Sequence, residues 1–256
     1  MRLLPLLVVS FAVSAAAAPR EFPLTWTSAT AAAGEDQIEA WVTPRLGRAD
    51  DKFLLVDTRL AWTHGVTRTV ESQLSLDLDF MRQNYQESLD PKVSSLWRWT
   101  TWRKGTPFAV GGLGRVSLAR DLLEVEARLF ADWRLDRFLI ALNVSGSRAL
   151  LWSDRTGVDT RLEESLALKF AISANAAFGL ELRAKSAWQQ REYQGTALVA
   201  GPVLTWTHPL FWVSLGGYAQ IAADKAAADK ALPEVQELRD NERFMLRIAI
   251  GAVTQR

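Results

Sequence analysis

The sequence predicts an all-β fold: a transmembrane antiparallel up-and-down β-barrel of about 12 strands after an N-terminal signal peptide. Three observations predict it. Apolar and polar residues alternate with a period of two from residue 37 onward, a short apolar leader opens the chain, and long connections alternate with tight ones.

The leader comes first. Met1-Arg2 carries a positive charge, Leu3 to Val13 is an apolar run, and Ala15 to Ala18 offers small residues of the kind signal peptidase reads. The run is too short to span a bilayer as a helix. Residues 1–18 are therefore expected to be a signal peptide, cut near Ala17 or Ala18. Residues 19–36 form an N-terminal segment rich in small and polar residues, expected to lie in the periplasm or to tuck into the pore. Residues 37–256 are the expected barrel.

The clearest strand is Val70 to Phe80. Its even positions are mostly apolar, and its odd positions are all polar or acidic. A helix would scatter those acids around its circumference, whereas a strand puts them on one face. Leu54 to Trp62, Leu123 to Trp133 and Phe178 to Trp188 alternate in the same way. With weaker segments included, strands are predicted near 37–44, 52–64, 67–82, 94–104, 107–120, 122–134, 137–147, 159–173, 177–191, 196–208, 211–223 and 242–253. Many reach the ~9–11 residues a tilted strand needs to cross a bilayer.

The first, third, seventh, ninth and eleventh connections are expected to be mostly long and polar. They include Gln83 to Val93, Arg148 to Gly157, and Asp224 to Asn241, whose Ala, Lys and Glu favour a helix. The even-numbered ones are expected to be tight: His64-Gly65-Val66, Gly105-Thr106, Leu135-Asp136, Ala174 to Ala176, and Pro209-Leu210. The fifth, at Asp121, is short as well. Such sorting matches short periplasmic turns and longer outer loops. Trp62, Phe108, Trp133, Phe138, Phe170, Phe178, Trp206 and Phe211 then fall near the periplasmic strand ends with the parity of the apolar face. Phe80, Trp188 and Phe244 fall near the opposite ends. Two outward girdles of rings are what membrane interfaces favour. Strand 94–104 fits least well, because Trp97 and Trp99 share one face and Trp102 takes the other.

Composition narrows the function. Lys and Arg total 30 against 29 Asp and Glu, which gives no case for nucleic acid. The absence of cysteine excludes disulfides, thiolate metal sites and a cysteine nucleophile. The two histidines, His64 and His208, map to turns. No zinc spacing, P-loop or dinucleotide fingerprint occurs, and no His-x-Ser arrangement places a histidine near Ser72 in sequence. No cofactor or metal is implied, and the chain reads as a non-enzyme.

If the apolar parity faces lipid, the charged parity faces the lumen. The lumen-lining candidates are Asp57, Arg59, Glu71, Asp77, Asp79, Arg98, Arg115, Glu124, Glu126, Arg128, Glu163, Lys169, Glu181, Arg183, Lys185 and Arg247, with Asp132 and Arg134 on the same parity. Neighbouring strands often carry opposite signs. A balanced ladder stabilises a wet interior, with ~0.2–1 kcal/mol from each opposed pair; charged rings can also select solutes.

These features resemble the Gram-negative outer-membrane barrels. More loosely, Gly201-Pro202-Val203-Leu204-Thr205-Trp206 and Phe211-Trp212-Val213-Ser214-Leu215-Gly216 are similar to the family annotated for the MetA pathway of phenol degradation. The chain departs from many such barrels in ending Thr254-Gln255-Arg256 rather than in an aromatic residue. The resemblance implies a bacterial outer-membrane protein, inserted by the envelope barrel-insertion machinery and surrounded by outer-membrane lipid. It also implies a passive channel or uptake pore for small solutes. A non-transporting envelope barrel and a lipid-modifying enzyme stand as alternatives.

Overall fold

In a computed structural model, residues 20–47, 53–83, 86–101, 106–151, 158–189, 191–225 and 243–254 are described. Among them, β1 (Asp36–Leu46), β2 (Leu54–Gly65), β3 (Val70–Gln83), β4 (Gln86–Thr100), β5 (Phe108–Ala119), β6 (Leu122–Leu135), β7 (Phe138–Leu151), β8 (Val158–Ala171), β9 (Ala176–Gln189), β10 (Glu192–Thr207), β11 (Phe211–Lys225) and β12 (Phe244–Thr254) form a closed barrel. Each strand pairs antiparallel with its sequence neighbours, and β1 closes on β12 through Asp36↔Thr254 to Leu46↔Phe244. Closure satisfies the edge groups that a membrane interior cannot solvate. No helix among the described residues is long and apolar enough to cross a membrane; the crossing elements are strands.

The two-residue period becomes two surfaces. Along β6, Val125 and Leu129 are 47% and 67% exposed, while Glu124, Glu126, Arg128 and Phe130 between and beside them are buried. The outside is a belt of Leu, Val, Ile and aromatic side chains: Leu60, Leu76, Leu129, Val144, Leu166, Leu180, Leu204 and Ile250 are all exposed. So large an apolar exterior around a charged interior is stable only in lipid.

The aromatic girdle forms at the rim that carries both strand termini. Trp62, Phe108, Trp133, Phe138, Phe170, Phe178 and Trp206 are exposed there. Phe108 packs on Trp133 at 4.7 Å between ring centroids, Phe138 on Phe170 at 5.1 Å, and Trp206 on Phe211 at 5.2 Å. The register of β4 resolves plainly: Trp97 and Trp99 face outward, and Leu96 and Arg98 face inward. Trp102 lies outside the described residues.

The sorting of connections is weaker than the sequence suggests. Gln83 to Val93 is not a loop. β4 starts at Gln86 and pairs Gln83↔Gln86 through Val70↔Trp99 with β3. Polar composition and Pro91 disguised this strand. Pro91 is tolerated because β4 pairs with β5 only from Lys92 onward, so its missing N–H faces no partner strand. β7 likewise runs to Leu151, beyond the expected end at residue 147, and the ninth connection shrinks to residues 190–191. The fourth connection, expected to be tight at Gly105-Thr106, spans residues 101–107 between Thr100 and Phe108. Strands can continue past the bilayer with both faces polar, and there the period-two signal ends before the strand does. The leader lies outside the described residues, as does most of the Asp224 to Asn241 connection.

Candidate functional site

Two things fill the barrel: a charged wall in the half toward the end of β1 and the start of β2, and a strap of the chain's own residues 20–35 that runs from that wall to the start of β1. Asp57, Arg59, Asp77, Asp79, Arg115, Glu124, Glu126, Arg128, Glu163, Arg183, Lys185 and Arg247 line one cavity of about 330 Å³. That volume lies in the ~300–1,000 Å³ range of small-ligand pockets. Glu71 and Arg98 line a second, much smaller cavity. Lys169 and Glu181 contact the N-terminal segment instead.

The wall is laced by ion pairs that follow the register. Lys92 approaches Glu124 at 3.9 Å, Arg115 reaches Glu126 at 2.5 Å, and Arg128 joins Glu126 at 3.0 Å and Glu163 at 3.1 Å. Arg183 closes the run on Glu163. This chain of charges crosses from β4 to β9 over β7, whose inward residues there are the small polar Ser145 and Ser147. Elsewhere Arg45 pairs with Asp57 at 2.5 Å, Arg98 with Glu71 at 2.7 Å, and Arg59 with Asp77. These groups are mostly buried, so each pair offsets the desolvation cost of its partners more than it adds stability.

Residues 20–35 form a strap across the lumen. Its composition suits an extended path against a polar wall: small and hydroxyl side chains with one proline. The wall recognises its backbone. The amides of Leu24 and Thr25 donate to Glu181 at 3.3 and 2.7 Å, and that of Ala31 donates to Glu71 at 2.8 Å. The Ser28 amide donates to Asp132 at 2.8 Å, and the Ser28 hydroxyl donates to the same carboxylate at 2.7 Å. Asn143 accepts from the Trp26 amide and donates to its carbonyl, both at 2.9 Å. Arg98 donates to the carbonyls of Thr27 and Ala29 at 3.3 and 2.6 Å, and Arg247 to that of Pro23 at 3.2 Å. Glu21 pairs with Arg134 at 3.1 Å and with Lys169. Phe22 and Leu24 pack with Leu139, Ala141, Ala167, Val203 and Tyr218 in a dry cluster. Buried backbone groups need such partners.

Two glycines make this fit possible. The strap turns into β1 beside Gly65, which bonds the Gly34 amide at 2.7 Å and Glu35 at 2.9 Å; a side chain at Gly65 would meet the Ala32 carbonyl oxygen at 1.8 Å. On β12, a side chain at Gly251 would meet the inward Trp212 ring at 2.4 Å.

Trp41 organises the floor of the larger cavity. Arg20 of the strap lies over its ring at 3.8 Å and over Trp26 at 3.9 Å; Arg59 and Arg247 approach Trp41 at 4.7 and 5.4 Å. Glu39 pairs with Arg20 at 3.4 Å and accepts from the Trp41 indole at 3.2 Å. Burial pushes the Arg20 pKa down to about 9, against the opposing pull of Glu39, so the group stays cationic at neutral pH.

Charge reasoning missed several of these residues. Arg45 and Lys92 line the cavity but fell outside the expected strands, and Arg161, which shares the parity of Glu163, was passed over. The inward rings Trp41, Phe130, Trp212 and Tyr218 carried a usable signal: on β11 they take the parity of Ser214 and Gly216, opposite to Phe211 and Leu215.

The register also sets Asp36, His64 and Ser72 side by side on β1, β2 and β3, with the His64 Nδ1 2.9 Å from Asp36. Among the described residues no hydrogen bond joins Ser72 to His64, so the row holds an acid–imidazole pair without an activated serine.

No protein-family model and no curated protein matches the chain. Solved structures do resemble it. The KdgM porin in complex with disordered oligogalacturonate superposes with a TM-score of 0.55 at 8% identity, over 84% of this chain and 98% of that one. The NanC porin superposes with a TM-score of 0.55 at 13% identity, over 86% of this chain and 99% of that one. At such identities the likeness concerns the fold, and the fold shared is that of outer-membrane porins.

Proposed function

We propose that the chain is an outer-membrane barrel that admits small hydrophilic solutes, with the strap at residues 20–35 as its inner gate. The observation that carries this reading is the charged cavity of about 330 Å³ in one half of the barrel, set above a lumen closed by the strap. The KdgM and NanC porins, which share the fold, support it. In this reading residues 1–18 are the export signal, the outer belt contacts outer-membrane lipid, and the envelope insertion machinery assembles the barrel. The finer resemblance to MetA-pathway barrels rests on the Gly201–Trp206 and Phe211–Gly216 stretches alone.

The test is solute flux into liposomes carrying the purified protein. The intact chain should pass small sugars and sugar acids slowly, and a variant lacking residues 20–33 should pass them faster. A second reading, a non-transporting envelope barrel, is favoured by how fully the strap's backbone is bonded to the wall. Silence of both proteins in correctly folded form would overturn the channel and leave that second reading.

A further inference from the structure

The larger cavity is not neutral. Ten cationic and six acidic side chains line it. The acids concentrate on β2, β3 and β6, where cations interleave with them. Around Trp41 the balance differs: three guanidinium groups, from Arg20, Arg59 and Arg247, converge on one indole ring. Arg59 is matched by Asp77, and Arg20 by Glu39. Arg247 is matched by neither acid. Its bonds go to the Thr43 hydroxyl at 2.9 Å and the Pro23 carbonyl, and it makes no ion pair with a described residue.

Donors are also left over. The Nε of Arg20 is buried without a hydrogen-bond partner, on a side chain only 8% exposed; the buried Nε of Arg183 has none either, although the rest of that guanidinium is matched by Glu163. A buried guanidinium donor without an acceptor is costly, and like charges drawn together raise that cost. An oxyanion relieves both, because its oxygens accept several charge-assisted N–H bonds at once. Aromatic faces beside the cations keep them in place without neutralising them.

We propose that the cavity floor is an oxyanion-binding site, formed by Arg247 of the wall with Arg20 of the strap, for the carboxylate or phosphate group of a small solute. The inference rests on the proposed function for its setting and deepens it by naming the solute's charge. The site is complete only when the strap is docked, because Arg20 belongs to the strap.

The test is equilibrium binding to the folded full barrel in micelles, read by tryptophan fluorescence, since Trp26 and Trp41 flank Arg20. The probes are inorganic phosphate and glucuronate, with glucose as the uncharged control, at constant ionic strength. Saturable binding of both anions and none of glucose is expected. Arg247→Gln should weaken it about ten- to hundredfold, the loss of one or more charge-assisted hydrogen bonds. Arg20→Gln, a change in the strap rather than in a strand, should weaken it similarly. Arg82→Gln, at an exposed pair with Glu87, should not. Retention of the heat-dependent gel shift identifies variants that are folded. Binding of phosphate alone would assign the site to free phosphate, and binding of glucuronate alone to sugar acids; either supports the site when both variants weaken it. Binding indifferent to both variants, or equal for glucose, overturns it. Binding without flux would sink the channel and keep the site; flux without binding would do the reverse.

Discussion

Replacing Asp132 by alanine should unlatch the strap. Asp132 is 1% exposed and Ser28 is fully buried, so bulk water does not compete for their contacts. The carboxylate accepts the Ser28 amide at 2.8 Å and the Ser28 hydroxyl at 2.7 Å. A hydrogen bond to a charged group contributes ~1.5–3 kcal/mol. Losing both therefore costs the docked state about 3–5 kcal/mol, after allowing for water that enters the vacated space. Each 1.4 kcal/mol is about tenfold, so the undocked fraction should rise roughly a hundred- to several-thousandfold. Asp132→Asn keeps a carbonyl acceptor and should cost about half as much. Hydrogen exchange of residues 20–35, followed by mass spectrometry on the barrel in lipid, reads this directly. Strap exchange should accelerate by that factor while strand amides stay protected. Strap exchange within twofold of the parent protein, in a folded barrel, would refute the latch.

Further substitutions probe the wall. Lysine at Leu76, which is 44% exposed on the lipid side, should cost ~2–4 kcal/mol in urea unfolding from vesicles; lysine at Ser75, on the inner face beside Asp77, should cost far less. Glu163→Gln separates Arg128 and Arg183 and should cost ~1.5–3 kcal/mol, with a double-mutant cycle against Arg183→Gln showing clear coupling. Gly251→Ala drives a methyl into the Trp212 ring, and thermal unfolding should show a loss of about 1–3 kcal/mol.

The barrel was legible because its physics is periodic. On β3 and β6 a polar or charged residue at nearly every second position leaves one arrangement in which acids share water and leucines share lipid. On these two strands Glu71, Asp77, Glu124, Glu126 and Arg128 are buried while the leucines between them are exposed. Legibility failed where the bilayer stops imposing the pattern. Gln86 to Pro91 is mostly polar, with Leu89 its one large apolar side chain, and still forms the start of β4, because pairing with β3 needs hydrogen bonds rather than alternation. The site was harder still. Nothing local marks residues 20–35 as lumenal: the strap is recognised through its backbone amides, which every sequence has, by Glu71, Asp132, Asn143 and Glu181, far away in the chain. Its one sequence trace lies in Glu71, Asp132 and Glu181, which the parity places in the lumen without showing what they hold; Asn143 carries no charge to mark it. Trp41 and Arg20 meet only through the closure of β1 on the strap, a contact that no spacing announces.

The account depends most on which face of the wall meets lipid. The chain has no cysteine, so each introduced cysteine carries a spin label at one known place. Labels placed singly from Leu123 to Phe130 on β6 in reconstituted membranes report collisions with lipid-soluble oxygen. Labels at Leu123, Val125, Ala127 and Leu129 should collide strongly, and those at Glu124, Glu126, Arg128 and Phe130 weakly, strictly by turns. Oxygen access that is uniform along the strand, or that peaks at the charged positions, would contradict it.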